Sequence, residues 1–469
     1  MQMDPPEVDE SRAEHLEATL IRFLTPLEVF IHKQTTAAVF LLVTTVVALV
    51  IANSPWSNLF NSFASAEAGI AFRDWQFMLS LRDWIGSGLM ALFFFLIGLE
   101  IKREVLAGKL RDARQITLIV MAALGGMIFP AALYALINHG TDGAHGWAIP
   151  MATDTAFALG VLALLMRRVS PGVSVFVAAM AIFDDIGAIA VISIFYGHGI
   201  HMTPFLFAAL VMVFLLFINI IGVRNGWVYA FTGIILWALV YQSGLHATLA
   251  GLLMAIAVPA RTRLGETGFV QEVRSLLSVF EKEQRQQRGG ILSAPRQHSA
   301  AENISEIVRA ASTPLQRWEA SLIWPIGIVV LPLFALFNAG VSLAWDDLAS
   351  ALSSSVTQGI LLGLVVGKPL GIVLMVAIGL KLKAGRLPEG MRFTEVVGAG
   401  MLAGIGFTMS LFITMLSFDM QPDRLSLIDD AKTGILLSSL LSALGAVVWL
   451  CMTQFPHHAG TDIEKEKRL

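Results

Sequence analysis

Ala181-Ile182-Phe183-Asp184-Asp185-Ile186-Gly187-Ala188-Ile189 sets two adjacent carboxylates at the midpoint of an apolar run from Gly172 to Tyr196. The run has the length of a bilayer-spanning helix, about 20 residues with a range of about 17–25. An ionised aspartate at the centre of such a helix costs about 2.5–3.5 kcal/mol on insertion scales. Two in succession therefore require a partner, a proton or a cation.

The rest of the chain agrees with a membrane setting. Of its 469 residues 56% are hydrophobic and 14% charged, with a mean hydropathy of +0.71, whereas a soluble chain carries about a quarter charged residues. Apolar runs of spanning length recur at 37–53, 84–101, 116–138, 148–166, 172–196, 203–222, 226–241, 244–260, 320–343, 356–380, 394–417 and 432–453. Twelve runs predict an all-α polytopic membrane protein with twelve transmembrane helices. Among 32 lysines and arginines, all but Arg73, Arg82, Arg424, Lys368 and Lys432 fall in the N-terminal tail or in the connections of the same parity. The positive-inside rule then puts both termini in the cytoplasm. Met1–Thr35 is polar and acidic and reads as a cytoplasmic tail (1–35), not a cleaved signal peptide. Spans 1–8 occupy 36–260, a cytoplasmic linker 261–317, spans 9–12 318–453, and a C-terminal tail 454–469. The linker composition, Glu281-Lys282-Glu283-Gln284-Arg285 onward, predicts a partly helical, partly disordered insertion. The outer connection 54–83 predicts a short hairpin or surface helix, a place for contact with a second subunit, with Trp56, Trp75 and Trp84 suited to the interface belt. The lone cysteine, Cys451, excludes an internal disulfide and a cysteine metal cluster. The formal charge of -3 says little about partners, because its distribution matters more than its sum; no nucleic-acid partner is expected.

Spans 3–5 begin on the cytoplasmic side and spans 10–12 on the outer side, so the two triplets form inverted repeats. Each has a second span that reads badly as a continuous helix. Span 4 carries Thr153-Asp154 soon after Pro150, and span 11 carries Gly398, Gly400, Gly404 and Gly406. Interrupted spans at corresponding positions of two halves point to a transport site, because freed backbone at membrane depth must face protein or a water-filled cavity. Asp154, Asp184, Asp185, Lys368 and Gly406 fall near one level. Neighbours on a helix diverge by about 100°, so one aspartate can face Lys368 while the other faces a cavity. Carboxylate, hydroxyl and carbonyl oxygens suit a hard cation. A site that holds protons or a cation, but not both, is an exchanger in principle.

The motifs Gly98-Leu99-Glu100-Ile101-Lys102-Arg103-Glu104, Ala152-Thr153-Asp154-Thr155, Asp184-Asp185-Ile186-Gly187, Ser243-Gly244-Leu245-His246, Gly367-Lys368-Pro369 and Gly404-Ile405-Gly406-Phe407-Thr408-Met409-Ser410 together resemble the NhaA-type sodium/proton antiporters. That family is itself a type example of the inverted-repeat organisation, so the repeat expectation is not independent of the resemblance. The resemblance implies a bacterial inner-membrane protein exporting Na+ or Li+ in electrogenic exchange for H+, a secondary transporter without a cofactor and not an enzyme. It implies Asp185 as cation ligand, Asp184 as partner of Lys368, Thr153 and Asp154 as the broken-helix contribution, and Glu100, Arg103, Glu104, Glu319 and His246 as residues of the pH response. Three features depart from the family pattern. The 261–317 connection is long, small residues stand at Gly86-Ser87-Gly88, and Ala320 and Ile323 follow Glu319. A sodium-coupled organic-anion symporter of similar fold is the nearest alternative. An intramembrane aspartyl protease is a remote one, since its two carboxylates would have to face each other across a substrate.

Overall fold

A computed structural model describes residues 26–72, 75–107, 113–166, 168–197, 199–261, 269, 271–278, 303–304, 307, 312–419, 421 and 423–453. Helix α1 (Pro26–Ala52) leads to a short helix α2 (Ser57–Ala64) and an antiparallel hairpin of β1 (Glu67–Phe72) and β2 (Trp75–Ser80), with Glu67 opposite Ser80. Both forms expected of the 54–83 connection are therefore present, and the hairpin is the only sheet among the described residues. There follow α3 (Leu81–Leu106), α4 (Ala113–Ile137), α5 (Asp142–Met151), α6 (Thr155–Leu165), α7 (Pro171–Phe195), α8 (Met202–Ile221), α9 (Gly226–Gln242) and α10 (Leu249–Ala257). After the linker come α11 (Pro314–Asn338), α12 (Trp345–Ser353), α13 (Ser355–Lys381), α14 (Phe393–Ala403), α15 (Phe407–Ser417) and α16 (Arg424–Met452). Residues 271–278 of the linker are helical. Most of the linker, residues 1–25 of the N-terminal tail and the whole C-terminal tail lie outside the described residues, as does the side chain of Trp75.

Among the described residues, eight helices are long and apolar enough to cross a bilayer, or ten if the bent pairs α5/α6 and α14/α15 each count as one span. Helix α9 is shorter, and α10 has only nine residues although its apolar run is longer. The reason lies at Gly244, whose φ of +82° turns the chain in a conformation that a side chain disfavours. Residues 243–248 thus form a turn, and the helix starts late.

Two apolar clusters build the bundle. The larger gathers buried residues of α4–α7 and α13–α16, among them Ile119, Phe176, Leu364 and Ile435. The smaller joins α3 to α8–α10 through Phe95, Leu215, Leu236 and Ala255. Helices α1 and α8 keep rows of exposed side chains, such as Val43, Val46, Val50, Phe217 and Ile220, the lipid-facing pattern of a membrane span. Inside the larger cluster α4 and α13 make their closest approach at glycine. A Cβ on Gly125 would stand 2.3 Å from the Gly371 carbonyl oxygen, and one on Gly371 would stand 2.2 Å from that of Gly125. Small residues let membrane helices approach this closely. The contact lies one turn from Lys368. Just before that lysine, at Gly363–Gly367, the helix widens to i→i+5 bonding, where Pro369 lacks an N–H and crowds the carbonyl four residues earlier.

Candidate ion site at two crossed helix breaks

The α5/α6 pair bends by 43° at Ala152-Thr153-Asp154 and the α14/α15 pair by 48° at Gly404-Ile405-Gly406. Pro150 and the extended Ala152 end α5, and the two breaks then satisfy each other's freed backbone. Asp154 N–H donates to the Ile405 carbonyl at 2.7 Å, and Ser410 Oγ donates to the Ile149 carbonyl at 2.9 Å.

Asp154 caps two helices at once. Its Oδ1 accepts from Phe157 N–H of α6 at 3.0 Å. Its Oδ2 accepts from Thr408 N–H of α15, also at 3.0 Å, and from the Thr408 hydroxyl. A carboxylate facing two helix N-termini meets two sets of orphan donors and the positive ends of two dipoles. Lys368 on α13 does the converse. Its ammonium, 1% exposed, donates to the Met151 carbonyl, at the C-terminal end of α5, and to Asp184 Oδ2 at 3.0 Å. The Thr153 hydroxyl lies 2.5 Å from Asp184 Oδ2 and 3.0 Å from the Ala403 carbonyl. A hydroxyl has one proton, so it serves one of these acceptors at a time. No protein group among the described residues bonds Asp184 Oδ1.

Asp185 is also buried. The helical step turns it away from Lys368, and its carboxylate enters none of these bonds. It lies within electrostatic reach of Asp184, Glu100, Lys368 and Asp154, while Glu100 in turn interacts with Glu319 and Arg103. Arg103 is ion-paired to the buried Glu319 of α11. Charged residues thus run from the aspartate pair to the C-terminal end of α3, where Glu104 is half-buried.

His246 lies elsewhere. Its ring meets the Tyr196 backbone carbonyl, and it lines a cavity of about 380 Å³ with Arg82, Asp83, Asp419 and Arg424. Arg82 and Asp83 begin α3 and Arg103 and Glu104 end it, some twenty residues or about 30 Å along a helix. The five residues expected in the pH response therefore fall at two ends of the bundle.

A model of the family described as Na+/H+ antiporter 1 matches residues 28–450. The chain belongs to that family. It is 42% identical over 455 residues to Na(+)/H(+) antiporter NhaA 1 of Pseudoalteromonas atlantica, covering 96% of this chain and 95% of the relative. Identity is 43% over 438 residues to the NhaA antiporter of Syntrophobacter fumaroxidans (93% and 92% covered) and 40% over 429 residues to that of Sulfurimonas denitrificans (92% and 96% covered). These relatives are named as transporters rather than enzymes, which sets the protease reading aside. Among the described residues no three of His, Cys, Asp and Glu gather as a metal cage.

Sequence reasoning did not single out three residues that organise this region. Thr408 closes the Asp154 cap, and its signal was a hydroxyl just past the glycines of the broken span. Lys102 donates to the Ile256 and Val258 carbonyls at 2.6 and 2.5 Å, capping the C-terminal end of α10. Glu395 of α14, buried, accepts from Ser170 N–H, Ser170 Oγ and Arg392 N–H, so it caps its own helix and the start of α7.

Proposed function

We propose that the chain exchanges Na+ or Li+ for protons across the bacterial inner membrane, electrogenically, by competition at Asp184 and Asp185. One arrangement carries the reading: a single Asp184 oxygen is shared by Thr153 and Lys368, while its other oxygen and the Asp185 carboxylate beside it are left for a ligand. Two ionised carboxylates against one ammonium leave a net negative charge in a low-dielectric interior, and that charge calls for a proton or a cation. A monovalent cation with oxygen donors from Asp185, Asp184 and Thr153 meets the preference of a hard ion. Protons and the cation then exclude one another, and the two carboxylates titrate as one coupled unit. Displacing more than one proton per Na+ makes the exchange electrogenic. Asp154 and Lys368 compensate the helix ends, so that the breaks stay open without an unpaired charge when the site is empty.

The architecture proposed for this work has twelve crossings: the eight long helices, the two bent pairs, α9, and the 244–260 segment. Helices α4–α7 and α13–α16 form the inverted repeats, supported by the reciprocal contacts of the two breaks. Both termini are cytoplasmic, the segments 1–35, 36–260, 261–317, 318–453 and 454–469 are its divisions, and the 54–83 connection joins two copies. Glu100, Arg103, Glu104 and Glu319 set the pH response from the cytoplasmic end and His246 from the outer end. An organic-anion symporter would need a polar cavity beside the ion site. Neither the 380 Å³ cavity nor a second one of about 820 Å³ has Asp184 or Asp185 in its lining.

Everted membrane vesicles from an antiporter-deficient host, energised by respiration and followed with a pH-sensitive dye, test this. Adding Na+ or Li+ collapses the acid interior. No cation-dependent change between about pH 6.5 and 9, a window around the histidine range, would sink the proposal.

A further inference from the structure

The charge pattern leaves one end of the bundle almost without cations: Arg73, Arg82 and Arg424, with Lys432 at the margin of the last span. Three of these four line a single cavity of about 820 Å³ between α1, α2, the end of α11 and the start of α16. Arg73 lies outside the described residues. A set of scarce charges meeting in one place needs a physical reason, because like charges repel.

Their partners do not supply it. Lys432 has a side chain only 12% exposed, yet its ammonium reaches the Gly340 carbonyl at 3.4 Å and Asp429 at 3.5 Å, both at the outer limit of a hydrogen bond. Asp429, the only carboxylate in the lining, is 64% exposed. Arg82 meets Asn61 at 3.4 Å. Arg424 alone has a close carboxylate, Asp419 at 2.7 Å, and both are half-exposed. Buried charge without close compensation is costly, and an anion between Lys432 and the two arginines would remove that cost.

The walls identify the source of the anion. Phe60 and Phe337, their rings 5.1 Å apart, line the cavity with Ile51 of α1. Just before it α1 exposes Val43, Val46, Val47 and Val50, so the helix that lines the cavity also carries exposed apolar surface suited to lipid. The volume lies within the range of small-molecule sites, about 300–1,000 Å³.

We infer that this cavity binds the headgroup of an anionic phospholipid, its phosphate held by Lys432, Arg82 and Arg424 and an acyl chain lying along α1. The inference is independent of the exchange reading.

The test uses the full chain in a neutral detergent with added dioleoylphosphatidylglycerol, dioleoylphosphatidylcholine or inorganic phosphate. Melting is followed by tryptophan fluorescence, and phospholipid retained through detergent exchange is counted by mass spectrometry. Basic linker segments also attract anionic lipid, so the readout is the difference between wild type and variants. Arg82→Gln and Arg424→Gln, both on exposed positions, each weaken the phosphatidylglycerol-dependent rise in melting temperature, by about fivefold in apparent affinity per cation removed. Lys432→Gln loses about one retained phospholipid per chain. If Lys432→Gln does not fold, the arginine variants decide alone. Equal stabilisation by inorganic phosphate would make this a free-anion site and overturn the lipid assignment. Unchanged lipid retention and an unchanged phosphatidylglycerol response in the variants would overturn the site itself.

Discussion

Lys368 holds a buried ammonium between the Met151 carbonyl and Asp184 Oδ2, so removing one partner strands the other. Lys368→Ala is expected to lower stability by about 3–5 kcal/mol, read as a fall in melting temperature of the purified protein. Adding Asp184→Asn should restore a large part of that loss, because the stranded charge is gone, and strictly additive losses would contradict the pairing. Thr153→Val removes the hydroxyl between Asp184 and the Ala403 carbonyl and should cost about 1–3 kcal/mol, together with weaker cation binding. The charged members of this region were legible in the sequence because charge at membrane depth is expensive and therefore rare. Thr408 was not. A hydroxyl in an apolar helix can bond the carbonyl one turn back, as Thr414 does to Ser410, so only its place just past the glycines of the broken span set Thr408 apart. Lys102 was hidden for a related reason, since a lysine near a helix end normally reads as one that reaches water.

At the scale of elements, Asp154 joins α6 to α15. Asp154→Ala leaves both N-termini uncapped and is expected to cost about 2–4 kcal/mol at about 1–2 per cap, whereas Asp154→Asn keeps one accepting oxygen and loses less. Equal melting temperatures for the two variants would mean that the double cap contributes nothing. Gly371→Val would drive a side chain into the Gly125 carbonyl, forcing α13 and α4 apart and moving Lys368 with them. Loss of folded protein, or of exchange in what folds, is the expected result, checked by size-exclusion chromatography and the vesicle assay. The two breaks were legible because proline and clustered glycine interrupt helices by known sterics. Their mutual hydrogen bonding was not, since it depends on packing between segments some 250 residues apart. The short α10 was missed because hydropathy records the length of an apolar run and not the turn at Gly244 that consumes part of it.

On the scale of the whole molecule, ionisable groups occupy both ends of α3 and the middle of the bundle. His246 and Glu319 stand at opposite ends, so His246→Gln and Glu319→Gln should shift the pH profile of exchange by amounts that add. A double variant indistinguishable from one single variant would require them to act on one switch. The mostly helical, polytopic architecture was plain from composition and the apolar runs, and the charge asymmetry of the loops supplied an expected orientation, while the hairpin of β1 and β2 departs from an all-α chain. Which charges lie near one another was not, because Asp185, Glu100, Arg103 and Glu319 come together only once α3, α7 and α11 are packed. Competition between cation and protons at the aspartate pair is the claim on which these expectations depend, and Na+ affinity of the purified protein as a function of pH measures it without the complications of a vesicle. Below the titration range of the pair, the apparent Kd for Na+ should rise about tenfold per pH unit for each competing proton, and Asp185→Asn should abolish the binding. A Kd for Na+ that does not change with pH, or that survives Asp185→Asn, would contradict the account.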